Sequence, residues 1–384
     1  MFEQRGELAA RGLDRAALAA LMEREDLTAA IVTSPENVYY LTGYPTLPTS
    51  GNPILYALRN IFPFSVIVER DGTRHLLAWG FSLEDVDVDV EHVVAFNDRR
   101  GALEAAAEVI SKVLGSRQGR LAQRVGVEPF APYEFVQHLQ ERVGHEGIVP
   151  AVDQVLLALR RRKSEAELVL LKRSLEIAEG AVQRVLAQLK IGTSRLEAIR
   201  WAKQAVLELG GDGVSHVTMS FGHANPEIAI DERLREGDLV VVDIGAKLDG
   251  YTSDCRRYGF AGEMPATLTG LHASMVGIVA DVAAQMVPGT TYAELTRAAV
   301  QGFEKAGLPL LGRFTHVGHG IGIETEEEWI DDDEGRVIDE GMVVAIELYT
   351  DAAPYGQIGD EETYIIGASG PERISLLETA VRRL

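Results

Sequence analysis

Cysteine is almost absent from this sequence: Cys255 is the only one in 384 residues. One cysteine cannot form a disulfide within a chain, so we expect a protein of a reducing compartment such as the cytoplasm. The N-terminal segment lacks the apolar core of a secretory signal, and no apolar run approaches the roughly 18 residues that a membrane span requires. The sequence therefore predicts a soluble cytoplasmic protein with no membrane partner.

Positive charge is also scarce, with 37 Lys and Arg against 58 Asp and Glu, which gives a net charge of −21. Such a chain repels a phosphate backbone, so binding to nucleic acid is not expected. It favours cations instead, either metal ions or amines. The 46% share of hydrophobic residues excludes a largely disordered chain. The length predicts two domains, which we place at residues 1–155 and 156–384.

The first half of the chain alternates helical and strand-like segments, as an α/β layer requires. Ser34–Asn37 has the composition of a turn. The basic run at 160–163 is expected to be a solvated flank of the helix that follows it. The predicted helices are 14–25, with Asp14 as N-cap, 102–114 and 132–142, and the predicted strands are Ala29–Thr33, Phe64–Glu69 and Arg74–Trp79.

The second half contains an internal duplication. Residues 192–200 recur as 289–297, and each copy has the Ser/Thr-x-x-Glu pattern of a capping box, at Ser194 and at Thr291. Further along, an apolar run ending in Asp243 recurs as an apolar run ending in Glu347. Both copies thus predict a helix, a connection and a strand with a carboxylate at the equivalent position.

Each copy also predicts a hairpin with a second carboxylate. If the turns are symmetric, Asp254 lies opposite Asp243, and Glu361 lies opposite Glu347. Like charges in such positions are destabilising unless a cation lies between them. His319, in the glycine-rich segment 315–322, is a further candidate ligand. Four carboxylates and one histidine suit Mn²⁺ or Co²⁺, with Zn²⁺ or Fe²⁺ as alternatives, and four negative charges would balance two divalent ions.

These motifs resemble those of the pita-bread metallopeptidase family, which contains prolidases, Xaa-Pro aminopeptidases, methionine aminopeptidases and the metal-free creatinase. The resemblance covers nearly the whole chain. It rests on 33–43 (TSPENVYYLTG), on 162–167 (RKSEAE), and on Asp243-Ile244-Gly245, 250–254 (GYTSD), 318–322 (GHGIG), Ile346-Glu347 and Glu361 before Glu362-Thr363. It implies an α/β creatinase/prolidase N-terminal domain followed by an α+β pita-bread catalytic domain with internal duplication.

The resemblance also implies a metal site and a reaction. The five metal ligands would be Asp243, Asp254, His319, Glu347 and Glu361, with a water bridging two ions as the nucleophile. Glu347 would also act as the catalytic acid/base. The expected activity is cleavage of a peptide bond near a free N-terminus, as in an Xaa-Pro aminopeptidase or dipeptidase, by a protein that forms a homodimer.

Several positions depart from the family pattern. Arg256 replaces the usual Thr, and Glu326 stands where a histidine normally follows the metal histidine. His223 and His316 lie close to two further positions where the family has histidines, so we expect His223, His316 and Glu326 to bind substrate. These departures keep two alternatives open: a hydrolase of a non-peptide amide or amidine, and a binding module without catalysis.

An acidic segment follows the metal histidine. Residues 324–334 (ETEEEWIDDDE) contain eight acids in eleven positions. Such a run is expected to be either a solvated loop or a rim that attracts cations.

Overall fold

The computed structural model describes residues 13–84, 86–115, 124–143, 147–309 and 316–384. The chain divides into two compact units, Met1–Arg160 and Arg161–Leu384. The domain boundary expected after residue 155 falls within the helix Val152–Arg161, and the units separate near the end of that helix.

The first unit contains one mixed six-stranded sheet with helices packed on it. Its helices are α1 (Arg15–Arg24), α2 (Pro35–Thr42), α3 (Ile54–Leu58), α4 (Arg99–Gly115), α5 (Tyr133–Val143) and α6 (Val152–Arg161). Its strands are β1 (Ala29–Val32), β2 (Ser65–Glu69), β3 (Arg74–Trp79), β4 (His92–Phe96), β5 (Val125–Val127) and β6 (Ile148–Val149), in the order β4-β3-β2-β1-β5-β6. Buried side chains of α4, including Ala106 and Ile110, share a core with Ile31 and Ile67 of the sheet.

Most of the helices and strands predicted for this unit are present within a few residues of their expected ends. Asp14 caps α1 by accepting a hydrogen bond from the Ala17 amide. The turn predicted at Ser34–Asn37 is wrong, because these residues begin α2. Ser34 is its N-cap and Pro35 its first residue, and proline suits that position because its fixed φ is helical and its missing N–H is not needed there.

The second unit contains two sheets, each covered by a pair of helices. The first sheet consists of β7 (Gly213–Phe221), β8 (Leu239–Leu248), β9 (Tyr251–Thr252), β10 (Arg256–Phe260) and β15 (Arg382–Arg383), and the second of β11 (Gly318–Gly320), β12 (Val343–Asp351), β13 (Gln357–Gly367) and β14 (Gly370–Arg373). The helices are α7 (Glu165–Gln188), α8 (Arg195–Glu208), α9 (Ala266–Ala283) and α10 (Tyr292–Ala306). Residues of α7 and α8 form a core with β8, and those of α9 and α10 form another with β12.

The duplicated segments have the same backbone structure. Gly192 donates its amide to the Leu234 carbonyl, and Gly289 donates to the Ile338 carbonyl. The capping box predicted at Thr291 is present on α10. The one predicted at Ser194 is wrong, because the Ser194 hydroxyl contacts Asp231 instead of the helix amides.

Helix α9 changes one expectation. Among the described residues it is long and apolar enough to cross a membrane by length and composition, with a hydropathy of 1.3, although no such stretch was expected from the sequence. Its residues Met275, Val279 and Val282 are fully buried in the core beneath the second sheet. Of the whole helix 39% is buried, which is the pattern of a helix that packs on a core along one face.

The basic run and the acidic segment pair with each other in this unit. Lys163 Nζ lies 2.6 Å from Glu327 Oε2, and both side chains are 2% exposed. The guanidinium of Arg161 donates to both carboxylate oxygens of Glu328, at 2.7 and 2.6 Å. A solvated flank is therefore the wrong description of Arg161 and Lys163, and part of the acidic run neutralises them.

Candidate metal centre and catalytic site

The first hairpin has a register that differs from the symmetric expectation. Asp249 and Gly250 both have positive φ, at 47° and 84°, which makes them the two central residues of a tight turn. Asp243 on β8 therefore pairs with Arg256 on β10. The prediction that Asp243 and Asp254 lie directly opposite each other is wrong by two residues, because the turn is centred one residue later than expected, and Asp254 lies in the segment just before β10.

The second hairpin has the expected register. Glu347 on β12 pairs directly with Glu361 on β13, across a turn centred near Pro354. The Glu361 side chain is buried, and neither of its carboxylate oxygens accepts a hydrogen bond from the described part of the chain. A buried carboxylate without donors is costly unless a cation or a proton compensates it.

His319 completes this side of the cluster. It lies on β11, which pairs with β12, and its side chain is buried. Its Nε2 atom is 3.6 Å from Asp254 Oδ2 and 3.9 Å from Glu347 Oε1. Gly318 allows this approach, because a Cβ at that position would lie only 2.0 Å from the Ala345 carbonyl oxygen. The sequence-predicted set Asp243, Asp254, His319, Glu347 and Glu361 therefore converges on one region of the second unit.

Arg256 also lies inside this cluster, although the sequence analysis noted it only as a departure from the family pattern. Its Nη2 and Nε atoms donate to Asp243 Oδ2 at 2.8 and 3.1 Å, and its Nη1 atom donates to Glu347 Oε2 at 3.0 Å. The Asp-Gly turn in the sequence could have revealed this position, because a two-residue turn at 249–250 places residue 256 opposite residue 243.

His216 is a second residue that the sequence analysis missed. Its Nε2 atom lies 3.1 Å from an oxygen of Asp243 and 3.1 Å from an oxygen of Asp254. These three residues form a group compact enough to hold a metal ion, with ligand atoms within 4.8 Å of one another. Gly245 makes room for the imidazole, because a Cβ there would come within 2.6 Å of the ring.

The buried charges shift one another's pKa values in opposite directions. Burial alone would raise the pKa of Glu347, but the charge of Arg256 holds it at about 2. Burial, reinforced by the charges of Asp254 and Asp243, raises the pKa of Glu361 well above its ordinary value. Burial would lower the pKa of His216, yet the same two aspartates raise it well above 6.5. Such a spread among neighbouring groups is typical of a functional site.

The cluster opens into a cavity of about 1000 Å³. Asp243, Asp254 and Glu347 lie in its wall, and the three residues expected to bind substrate, His223, His316 and Glu326, line the same cavity. His316 Nε2 is 3.6 Å from Glu347 Oε1, and its ring stacks on Trp329 at 4.4 Å. Glu326 accepts a hydrogen bond from Trp329 Nε1 at 2.7 Å. The structure thus brings these residues together, while their role with substrate stays a prediction.

Two family models match the chain. Residues 169–368 match metallopeptidase family M24, and residues 15–161 match the creatinase/prolidase N-terminal domain. Among individual proteins, an Xaa-Pro dipeptidase of Pyrococcus horikoshii is 25% identical over 366 residues, which cover 93% of this chain and 95% of that protein.

Solved structures share the two-domain fold. The prolidase of Pyrococcus horikoshii OT3 superposes with a TM-score of 0.78 at 21% identity, covering 96% of this chain and 99% of that one. An Xaa-Pro dipeptidase from Bacillus anthracis gives a TM-score of 0.81 at 18% identity, with coverage of 96% and 99%. The predicted fold class and the predicted enzyme class, a metallopeptidase, are confirmed. The chain belongs to metallopeptidase family M24 and carries a creatinase/prolidase N-terminal domain.

Proposed function

We propose that this protein is a metal-dependent dipeptidase or aminopeptidase that cleaves the bond before a proline close to a free N-terminus. Family membership supports the chemistry, and the Xaa-Pro dipeptidases among its relatives support the substrate class. The observation that carries the proposal is the cross-strand pair Glu347 and Glu361 close to Asp254 and His319, with Glu347 and Asp254 lining a large cavity.

The donor set fits a divalent metal. Glu361 offers two oxygens that accept no hydrogen bond from the described residues, and carboxylate oxygens with one imidazole suit Mn²⁺ or Co²⁺, with Zn²⁺ or Fe²⁺ as alternatives. A bound divalent ion would supply Lewis acidity, which polarises a carbonyl and lowers the pKa of water. The proposed ligands are Asp243, Asp254, His319, Glu347 and Glu361.

We propose that Glu347 moves the proton. Its carboxylate faces the cavity, and the charge of Arg256 lowers its pKa, so that it is ionised at neutral pH as a proton acceptor must be. Passing that proton to the leaving nitrogen would complete an acid/base cycle. His316, 3.6 Å from Glu347, and His223 are proposed to contact the scissile carbonyl. Glu326, with its negative charge, is proposed to bind the substrate ammonium.

The remaining parts of the proposal concern the cell and the assembly. We propose a soluble cytoplasmic protein that works as a homodimer, with short peptides as its partners and neither nucleic acid nor a membrane among them. The single cysteine and the net charge of −21 support this location and this choice of partners.

A panel of Xaa-Pro dipeptides and tripeptides tests the activity, with metal-loaded protein and detection of the released N-terminal amino acid by mass spectrometry. We expect turnover of at least one peptide, and a loss of about 10²–10⁴ in kcat for Glu347→Gln. Glu340→Gln, at an exposed position just before β12, is the matched control and should keep full activity. If every peptide stays intact, the peptidase proposal fails. Turnover of small cyclic amides would then favour the non-peptide hydrolase.

A further inference from the structure

The guanidinium of Arg256 fills part of the space between the carboxylates that are proposed to bind metal. It donates hydrogen bonds to Asp243 and Glu347, and its Nε atom lies 3.9 Å from Glu361 Oε2. These three carboxylates belong to three different strands, β8, β12 and β13. The Arg256 side chain is only 14% exposed, so its guanidinium lies inside the cluster of carboxylates and not in solvent.

We propose that Arg256 takes the place of one of the two metal ions, so that this site holds a single divalent ion bound by Asp254, His319, Glu347 and Glu361. The inference rests on the proposed function and makes it more specific. It changes the proposed ligand set in one residue, because Asp243 anchors Arg256 instead of binding metal.

Both carboxylate oxygens of Asp243 already have partners. Asp243 Oδ2 already accepts two N–H groups from Arg256, and Asp243 Oδ1 lies 3.1 Å from His216 Nε2. An ion bound to Asp243 Oδ2 would have to displace Arg256, and an ion bound to Oδ1 would have to fit between Asp243 and His216. Arginine cannot release its charge, because its pKa exceeds about 12. A second ion would therefore lie beside a permanent positive charge.

The part of the cluster around His319 has oxygen atoms that Arg256 does not reach. Here His319 Nε2 lies 3.6 Å from Asp254 Oδ2 and 3.9 Å from Glu347 Oε1, and Glu361 has two oxygens without hydrogen bonds from the described residues. Ligand atoms about 2.1 Å from one ion lie roughly 3.0–3.5 Å from each other. The observed separations are slightly larger, so a small contraction of these side chains would enclose one ion.

A substrate with a free N-terminus also favours one ion over two. Two divalent ions beside the guanidinium would give the four carboxylates a net positive charge, which would repel the ammonium group of a dipeptide. One ion leaves no net positive charge, even when His216, which contacts Asp243 and Asp254, is protonated.

The metal content per chain tests this inference. We would equilibrate the full-length protein with Mn²⁺, remove free metal by desalting and measure manganese by inductively coupled plasma mass spectrometry. The expected result is one ion per wild-type chain and two per chain of Arg256→Thr. Arg173→Thr, which removes an exposed arginine of α7, is the control and should keep one ion.

Two ions per wild-type chain, or an unchanged single ion in folded Arg256→Thr, would overturn the inference. If Arg256→Thr does not fold, crystals of the wild type measured at the manganese absorption edge decide instead. One anomalous peak beside His319 is expected, and a second peak beside Asp243 would contradict the proposal.

The result also separates this inference from the proposed function. Two ions together with cleavage of Xaa-Pro peptides would overturn the inference alone. One ion without any peptide cleavage would overturn the function alone, and a wild-type chain that binds no divalent metal would overturn both.

Discussion

Glu347 and Glu361 face each other directly across two antiparallel strands, and Glu361 is buried with no hydrogen-bond donor among the described residues. Two like charges in such positions destabilise a sheet. We infer that a cation binds between the two carboxylates in the active protein and compensates this repulsion.

Removing one of these charges should therefore stabilise the metal-free protein. We expect Glu361→Gln at pH 8 with a chelator to be more stable than the wild type by on the order of 1 kcal/mol, which corresponds to a melting temperature roughly 2–4 °C higher. Added Mn²⁺ should raise the melting temperature of the wild type and not that of the variant. Glu372→Gln, on the exposed strand β14, should respond to metal as the wild type does. A variant that is less stable in chelator would contradict the repulsion argument.

His216 should matter for catalysis although no sequence motif marks it. It contacts both Asp243 and Asp254 at 3.1 Å, and side chains that orient metal ligands typically contribute 10–100-fold to activity. We expect His216→Ala to lower kcat/KM by about that factor, measured with the best peptide of the panel. His92→Ala, at an exposed position in the first unit, is the control. Activity within twofold of wild type would mean that the aspartates hold their positions without His216.

Gly318 should be intolerant of any side chain. A Cβ there would lie 2.0 Å from the Ala345 carbonyl oxygen, so Gly318→Ala must push β11 away from β12 and move His319. We expect a loss of about 2–3 kcal/mol in the free energy of unfolding, measured by urea denaturation, and weaker Mn²⁺ binding. Gly277→Ala, in the exposed middle of α9 with no heavy atom within 4 Å of the new Cβ, should gain about 0.5–1 kcal/mol. Equal effects at both positions would rule out the steric explanation.

The first unit should show a pH-dependent contribution from Glu91. Burial would raise the pKa of this residue, but hydrogen bonds from Arg74 and its charge lower the pKa from 4.5 to about 2. A carboxylate whose pKa is lowered by folding stabilises the fold at pH values above the pKa that it has in the unfolded chain. This stabilisation disappears as the pH falls from about 4.5 to about 2.

Glu91→Gln should consequently cost about 1 kcal/mol at pH 7, because solvent screens the ion pair of this exposed residue. That cost should shrink steadily when unfolding is followed by circular dichroism from pH 5 to pH 2. Glu23→Gln, at an exposed position of α1, should change stability by less than about 0.5 kcal/mol. A cost for Glu91→Gln that does not change with pH would indicate lost packing instead of a lost ion pair.

The sequence determined the fold class, the duplication and the residues that meet in the site. Hydrophobic periodicity and caps such as Asp14 and Thr291 are local signals, so helices and strands could be placed from them. The carboxylates and His319 could be chosen because each belongs to a motif with its own spacing. The second hairpin followed from symmetry, since its turn is centred where the sequence predicted.

The tertiary structure alone decided which charges neutralise which. The first turn is centred one residue later than the sequence predicted, and this places Arg256 opposite Asp243. A bulge in β7 lies next to His216, whose imidazole contacts two aspartates. Lys163 and Glu327 read as solvated charges in the sequence and form a buried pair in the fold. Such pairings depend on register and on contacts between distant strands, which no local pattern records. For that reason the sequence predicted a cation among the carboxylates, and the fold showed that arginine is already one.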